Sequence, residues 1–326
     1  MTQLLSHDPL TDVLASVRLT GAFFFSFEGA APWAAESPPA SAVSGHLMAE
    51  VDHVLEFHAV TRGHCLGGLL GEEPVRLEAG DVICFPHGDP HVLSSGPGLR
   101  APPKQAALYQ QAGWSKLRYP VKLGAGPAEV HVVCGFLGCD ARPFNPLLAA
   151  LPRVLRASDG DADSRGRLSS LMEMAEQEAT SPRPGSEGVL ARLSELLFVE
   201  ILRRHLELLP PDRTGWLAGL RDPHVGKALA QLHARPGHAW TLDALGHEVG
   251  LSRSALAERF GALVGEPPFQ YLARWRMQIA AGLLDTTRDG VAAIGAQVGY
   301  ASEAAFSRAF KKLVGVPPAT WRRRSR

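Results

Sequence analysis

Cysteine is scarce in this chain: its 326 residues include four, Cys65, Cys84, Cys134 and Cys139. That is too few for a disulfide scaffold, and the cytosol would keep them as thiols. No apolar run approaches the roughly 18 residues that a membrane span requires. The opening, Met1-Thr-Gln-Leu-Leu-Ser-His-Asp-Pro9, lacks a basic stretch followed by an apolar core, so no export signal is visible. These absences set the expectation of a cytoplasmic protein with no membrane partner. Net charge is lacking too, with 33 Lys and Arg against 33 Asp and Glu. What remains is the composition of a soluble globular protein, 45% apolar and 20% charged, long enough for two domains.

The zero net charge is the sum of two opposite balances. Residues 1–221 carry 19 Lys and Arg against 25 Asp and Glu, whereas residues 222–326 carry 14 against 8. An acidic module is joined to a basic one, and a basic terminal domain suits a phosphate-rich partner. Texture divides the chain in the same way. Short apolar runs broken by glycine and proline, among them Phe23–Phe25, Leu55–Val60, Val82–Phe85 and Val130–Val133, read as strands of an antiparallel barrel or sandwich. Ser94 to Gly113 reads as a long loop. From Pro146 to Leu209 the apolar period becomes helical, with Leu168, Leu171, Met172 and Ala175 on one face and Leu190, Leu193, Leu197 and Leu202 on another. Leu209-Pro-Pro-Asp-Arg-Thr-Gly215 is the best linker, stiffened by its two prolines. The predicted fold class is α+β in two domains, a β-barrel with flanking helices followed by an all-α domain. The expected boundaries are 1–150 for the barrel, 151–208 for a helical dimerisation and relay segment, 209–221 for the linker and 222–326 for the C-terminal domain.

The C-terminal domain contains an internal repeat. Aligning Ala244–Pro268 with Ala293–Pro318, with Ala301 as a one-residue insertion, makes 12 of 25 positions identical, including Gly250/Gly299, Ser252/Ser302, Phe260/Phe310 and Gly265/Gly315. Each copy reads as helix, tight turn, helix, stop. Thr241 caps a short helix, Gly250 supplies the positive φ of the turn, Ser252 caps a second helix, and Gly265 with Pro267-Pro268 ends it. This is the spacing of a helix-turn-helix, whose second helix enters the major groove.

These residues resemble the double helix-turn-helix domain of AraC/XylS-type transcription regulators, and the second copy, Ile294–Pro318, resembles that family's signature almost throughout. The resemblance implies a seven-helix domain in which a long helix, about Pro268–Leu284, holds two recognition helices. It implies double-stranded promoter DNA and RNA polymerase as partners. Carried over by position, the first recognition helix would present Arg253, Ser254, Ala257 and Glu258. The second, capped by Ser302, would present Glu303, Ala304, Ser307 and Arg308. Arg308 would read guanine and a glutamate would accept from cytosine. Arg276, Lys311, Lys312 and Arg322 are expected on phosphates.

In the first domain, Gly80-x5-Pro86-x-Gly88-x2-His91 resembles the second motif of cupin barrels. The first cupin motif keeps Glu56 and Gly63, but its two histidines fall near Glu50 and Asp52. The stretches Phe57-His58-x-Val60, Gly88-Asp-Pro-His91 and Val133-Cys-Gly135 resemble the cupin sensor of one AraC branch, which implies an unidentified small-molecule, metal or redox effector. A rival reading is a metal-dependent cupin enzyme, a dioxygenase or isomerase. It lacks the histidine pair such chemistry normally uses and does not explain the fused helical repeat. On an extended strand Glu56 and His58 share a face. If that face is the interior, His58, His91 and Cys134 would meet as a zinc site; otherwise they are core residues, hydrogen-bonded or simply buried. The helices of 146–207 carry more apolar residues than a barrel edge needs, which leads to the expectation of a homodimer.

Overall fold

The computed structural model describes residues 7–48, 51–101, 121–141, 143–159, 166–181 and 183–324. Expectations that fall on Glu50 and on 102–113 of the anticipated loop lie outside these residues. Two compact units emerge, and each draws on separate stretches of chain: Leu19–Cys139 with Leu151–Leu208, and Met1–Arg18 with Asp140–Ala150 and Leu209–Arg326.

The first unit is built on strands whose apolar runs are buried on both faces, as in β9 (Val130–Cys139), where every residue is buried. A six-stranded sheet takes in β1 (Thr20–Gly29), β3 (His53–Arg62), β6 (Asp81–Phe85), β8 (Val121–Leu123), β9 and β10 (Leu155–Ser158), in the order β10-β6-β3-β9-β1-β8. A four-stranded sheet takes in β2 (Ala34–Ser37), β4 (His64–Leu69), β5 (Val75–Glu78) and β7 (His91–Ser94), ordered β2-β7-β4-β5. Pairing is antiparallel except between β1 and β8. The anticipated barrel is thus two sheets that share no strand pairing among the described residues. Phe27, Val60, Ile83, Phe85 and Val132 from one and Cys65, Leu69, Leu77 and Leu93 from the other form a common core between them.

The other face of the larger sheet is covered by two helices, named in chain order after α1 (Pro9–Ser16), α2 (Ala40–Leu47) and α3 (Pro146–Ala150): α4 (Arg167–Thr180) and α5 (Ser186–Leu208). Leu168, Met172 and Ala175 of α4 and Leu193, Leu197 and Leu202 of α5 are buried, as the helical period predicts, while Leu171 and Leu190 are half-buried. The backbone of α5 comes so close to β1 that a Cβ on Gly21 would lie 2.0 Å from the Ala191 carbonyl oxygen.

The second unit is helical: α6 (Trp216–Arg221), α7 (Val225–Ala234), α8 (Leu242–Val249), α9 (Arg253–Val264), α10 (Pro268–Thr286), α11 (Val291–Gln297), α12 (Glu303–Val314) and α13 (Pro318–Arg324). The helix α1 and the segment 140–150 belong to this unit. Gln278 of α10 accepts from the Phe144 N–H at 3.0 Å and donates to the Ser16 carbonyl at 3.0 Å. Arg18 grips Asp140 with two hydrogen bonds, at 2.6 and 3.0 Å.

Candidate DNA-binding surface and buried polar cluster

The two helix-turn-helix copies form for the local reasons the sequence supplies. The Thr241, Ser252 and Ser302 hydroxyls accept from the N–H groups of Ala244, Ala255 and Ala305, at 3.1, 3.2 and 3.2 Å, so α8, α9 and α12 each begin with a side-chain cap. The turns demand positive φ, 75° at Gly250 and 86° at Gly299. Leu256 and Phe260 of α9, and Phe306 and Phe310 of α12, point inward and are fully buried. That leaves the opposite faces to solvent: Arg253, Ser254 and Glu258 are exposed with Ala257 half-buried, and Glu303, Ala304 and Arg308 are exposed with Ser307 half-buried. Lys311 and Lys312 continue the exposed face. Between the copies α10 runs for 19 residues, about 28 Å of axis.

Two arginines sit otherwise than the phosphate role anticipates. Arg276 donates to the carbonyls of Pro236 (2.7 Å) and His238 (2.9 Å), and burial lowers its pKa. Arg322 donates to the carbonyls of Leu284 and Asp289, at 3.2 and 2.6 Å. Both guanidiniums brace the ends of helices and loops. Arg259, which the sequence reading passes over, pairs with Asp222 at 2.6 Å and fixes α9 to the start of α7. Beneath them a buried chain runs from the Trp216 indole N–H to the Tyr271 hydroxyl (2.8 Å) and on to His233 Nε2 (2.7 Å).

In the sheet unit, β3 lies between β6 and β9 and sets His58 opposite Cys134. His58 Nδ1 is 2.8 Å from Cys134 Sγ, and His58 Nε2 is 2.7 Å from His91 Nε2. His91 Nδ1 lies 2.8 Å from the Asp89 carbonyl, which only accepts, so that nitrogen carries the proton and Nε2 presents its lone pair. His58 then donates from Nε2, and the Cys134 thiol donates to His58 Nδ1. Glu56 joins the group, its Oε2 3.6 Å from His91 Nε2. All four side chains are buried, and the His91 ring stacks on Phe85 at 3.7 Å. Burial pushes the Glu56 carboxyl up to about 8, takes His91 down to about 4, holds His58 well below the ordinary imidazole value and raises the Cys134 thiol. The three anticipated residues therefore meet. Cys134 faces the nitrogen of His58 that points away from His91, while Glu56, Oε2 foremost, lies on the side where the two imidazoles face each other.

The protein-family model described as Cupin matches residues 8–207, and a second, described as a helix-turn-helix domain, matches residues 245–324. An AraC-like transcription regulator of Streptomyces antibioticus is 34% identical over 97% of this chain and 98% of its own length. The HTH-type transcriptional regulator AlkR of Acinetobacter baylyi is 34% identical over 86% of this chain and 90% of its own. This chain belongs to the AraC family of transcription regulators. As an AraC-family member with a cupin domain it is a DNA-binding regulator, and the enzyme reading falls with the regulator relatives that match nearly end to end. No described helix of this regulator is long and apolar enough to cross a membrane. Glu56 was legible as the partner of His58 from their period-two spacing. The tethering of Arg276 was not, because its carbonyl partners lie about 40 positions away in sequence.

Proposed function

We propose that this AraC-family protein binds double-stranded promoter DNA as a cytoplasmic homodimer, laying α9 and α12 in successive major-groove segments and acting on RNA polymerase there. The observation that carries this reading is the exposed polar face on each second helix, set by the inward Leu256, Phe260, Phe306 and Phe310. Arg253, Ser254, Ala257 and Glu258 of α9, with Glu303, Ala304, Ser307 and Arg308 of α12, are the base-reading candidates. Lys311, Lys312 and the Ser302 end of α12 take phosphates. Arg276 acts by holding the 236–238 turn. For the dimer, Met174 of α4 and Val189 and Leu196 of α5 are large apolar side chains left exposed, and sedimentation at micromolar concentration, with and without DNA, reports the state. The effector enters the sheet unit at His58, His91 and Cys134, the buried polar cluster of that core.

Footprinting of full-length protein across its own genome tests the reading. Protected sites spanning two adjacent major grooves, lost steeply as salt rises, are the expected result. Full-length protein that retains no DNA even at low salt overturns it.

A further inference from the structure

Besides α10, a direct backbone contact joins the two helix-turn-helix copies. The loop of 235–240, which leads into α8 of the first copy, lies against the turn that follows α11 in the second. A Cβ on Gly299 would lie 2.6 Å from the Gly237 carbonyl oxygen, and one on Gly237 would lie 2.7 Å from that of Gln297. Backbone meets backbone there, so no rotamer change could make room. The matching turn of the first copy is different. Gly250 occupies the equivalent place at a similar φ, 75° against 86°, but a Cβ there would meet nothing among the described residues within 4 Å. The two turn glycines share a backbone conformation, and the second is the one pressed against the other copy.

Arg276 of α10 clamps this contact. Its Nε donates to the Pro236 carbonyl at 2.7 Å and its Nη2 to the His238 carbonyl at 2.9 Å, on either side of Gly237. The same Nη2 would stand 2.9 Å from a Cβ on Gly299. The guanidinium carbon lies 5.9 Å from the centre of the Tyr300 ring, within cation–π range. One planar fork thus holds the loop before the first copy and faces the turn inside the second, from the helix that links the two. We propose that Arg276 is a positioning residue that locks the two helix-turn-helix copies in one phase and so makes the regulator selective for the spacing between two segments of its operator. A single inserted base pair moves the second segment by about 3.4 Å and turns it by roughly 34° about the DNA axis. A reader joined by α10 alone could follow part of that shift by bending the helix. A close backbone contact clamped by two charge-assisted hydrogen bonds resists it. The effect on operator choice rests on the promoter-DNA reading, whereas the lock itself is a property of the free protein.

The test uses full-length protein and an operator taken from its footprint, with the spacing intact or with one base pair inserted between the two protected segments. Wild-type protein should lose at least about tenfold in affinity on the insertion, the order of one mismatched base pair or more. Arg276→Gln should bind the intact operator more weakly and shrink that ratio to about threefold or less, while the salt dependence keeps its wild-type slope because no phosphate contact is lost. Arg276→Lys should behave like Arg276→Gln, since an ammonium keeps the charge but not the fork. Rescue by lysine, with a slope flattened by about one in Arg276→Gln, would assign the side chain to a phosphate and overturn the proposal. Gly299→Ala should lose spacing selectivity too, whereas Gly250→Ala, with comparable backbone strain, should keep it.

A second measurement needs no DNA. The four native thiols are buried, so nitroxide labels go to Ser254→Cys and Glu303→Cys, and pulsed electron resonance on protein diluted with unlabelled chains reads the distance between α9 and α12. The distribution should be narrow with Arg276 in place and broader in Arg276→Gln, at unchanged circular dichroism. A distribution that is broad from the start, or that Arg276→Gln leaves unchanged, overturns the lock. Protein that shows the narrow distribution and its broadening, yet binds no DNA at low salt, overturns the promoter reading and leaves the lock standing.

Discussion

At the scale of single residues, the helix ends and the exposed arginine of α12 follow from contacts only a few positions apart. Thr241, Ser252 and Ser302 cap their helices because a hydroxyl reaches a backbone N–H three residues on, and both halves of that interaction are printed side by side in the chain. Arg308, one helical turn beyond Ala304, stays exposed for the equally local reason that Phe306 and Phe310 face inward. Arg308→Ala should therefore cost ~1–3 kcal/mol in DNA affinity and relax preference at one base pair, while Lys311→Ala should weaken all sequences alike and flatten the salt dependence. Titration of operator and scrambled DNA at several salt concentrations separates the two outcomes. The cysteines are equally specific. Burial pushes Cys65 up to about 12 and also raises Cys84 and Cys134 above the ordinary thiol value, and all four side chains are buried. Native protein at neutral pH should resist alkylation by iodoacetamide, and all four thiols should react once it is unfolded in denaturant. Rapid labelling of any one in the native state, read by mass spectrometry, would contradict this burial.

At the scale of elements, the strands were readable from their apolar runs, but their arrangement was not. Short apolar runs and their punctuation mark β3, β6 and β9, yet nothing in those runs says that β10, from beyond residue 150, pairs with β6. Pairing over such separations depends on packing of the whole unit, so a barrel and two facing sheets look alike in sequence. The covering helices leave a sharper mark. Gly21 is required because α5 lies against β1 with no room for a Cβ: the nearest atom would be the backbone Ala191 oxygen at 2.0 Å, which no rotamer change can relieve. Its N–H also donates to Glu195 Oε1 at 3.2 Å. Gly21→Ala must push helix and strand apart and should lower stability by at least ~1–3 kcal/mol. Gly185→Ala, at a position with φ of 93° but open space around it, pays for backbone strain alone and should cost only ~1–2 kcal/mol. Denaturant midpoints for the two variants test the ordering.

At the scale of the whole molecule, chain order and compact units disagree, and a buried glutamine is one of the contacts behind the disagreement. The segments at 140–150 and α1 border the sheet unit in sequence, since 140 follows β9 and α1 precedes β1, yet both are counted with the helical unit. One of their ties is Gln278, buried on α10, which satisfies the Phe144 N–H with its oxygen and the Ser16 carbonyl with its amide, beside the Phe144 ring against Tyr271 and Asp12 against His233. Asp140 closes the same clasp by accepting from Arg18 and donating its N–H to the Val17 carbonyl at 2.8 Å. A glutamine inside a long amphipathic helix gives no sequence signal of this role, because its partners lie 134 and 262 positions away. Gln278→Ala removes the bridging amide and leaves two backbone groups without partners, at about 1–3 kcal/mol for each that water cannot reach. The loss should be local. Hydrogen exchange should quicken together in α1 and in 143–150, while the amides of β3 and β9 keep their protection, and the exposed faces of α9 and α12 should still bind DNA. Exchange that quickens throughout β9 instead would show that the clasp is part of the sheet unit after all, and that its attachment to α10 does not define the boundary.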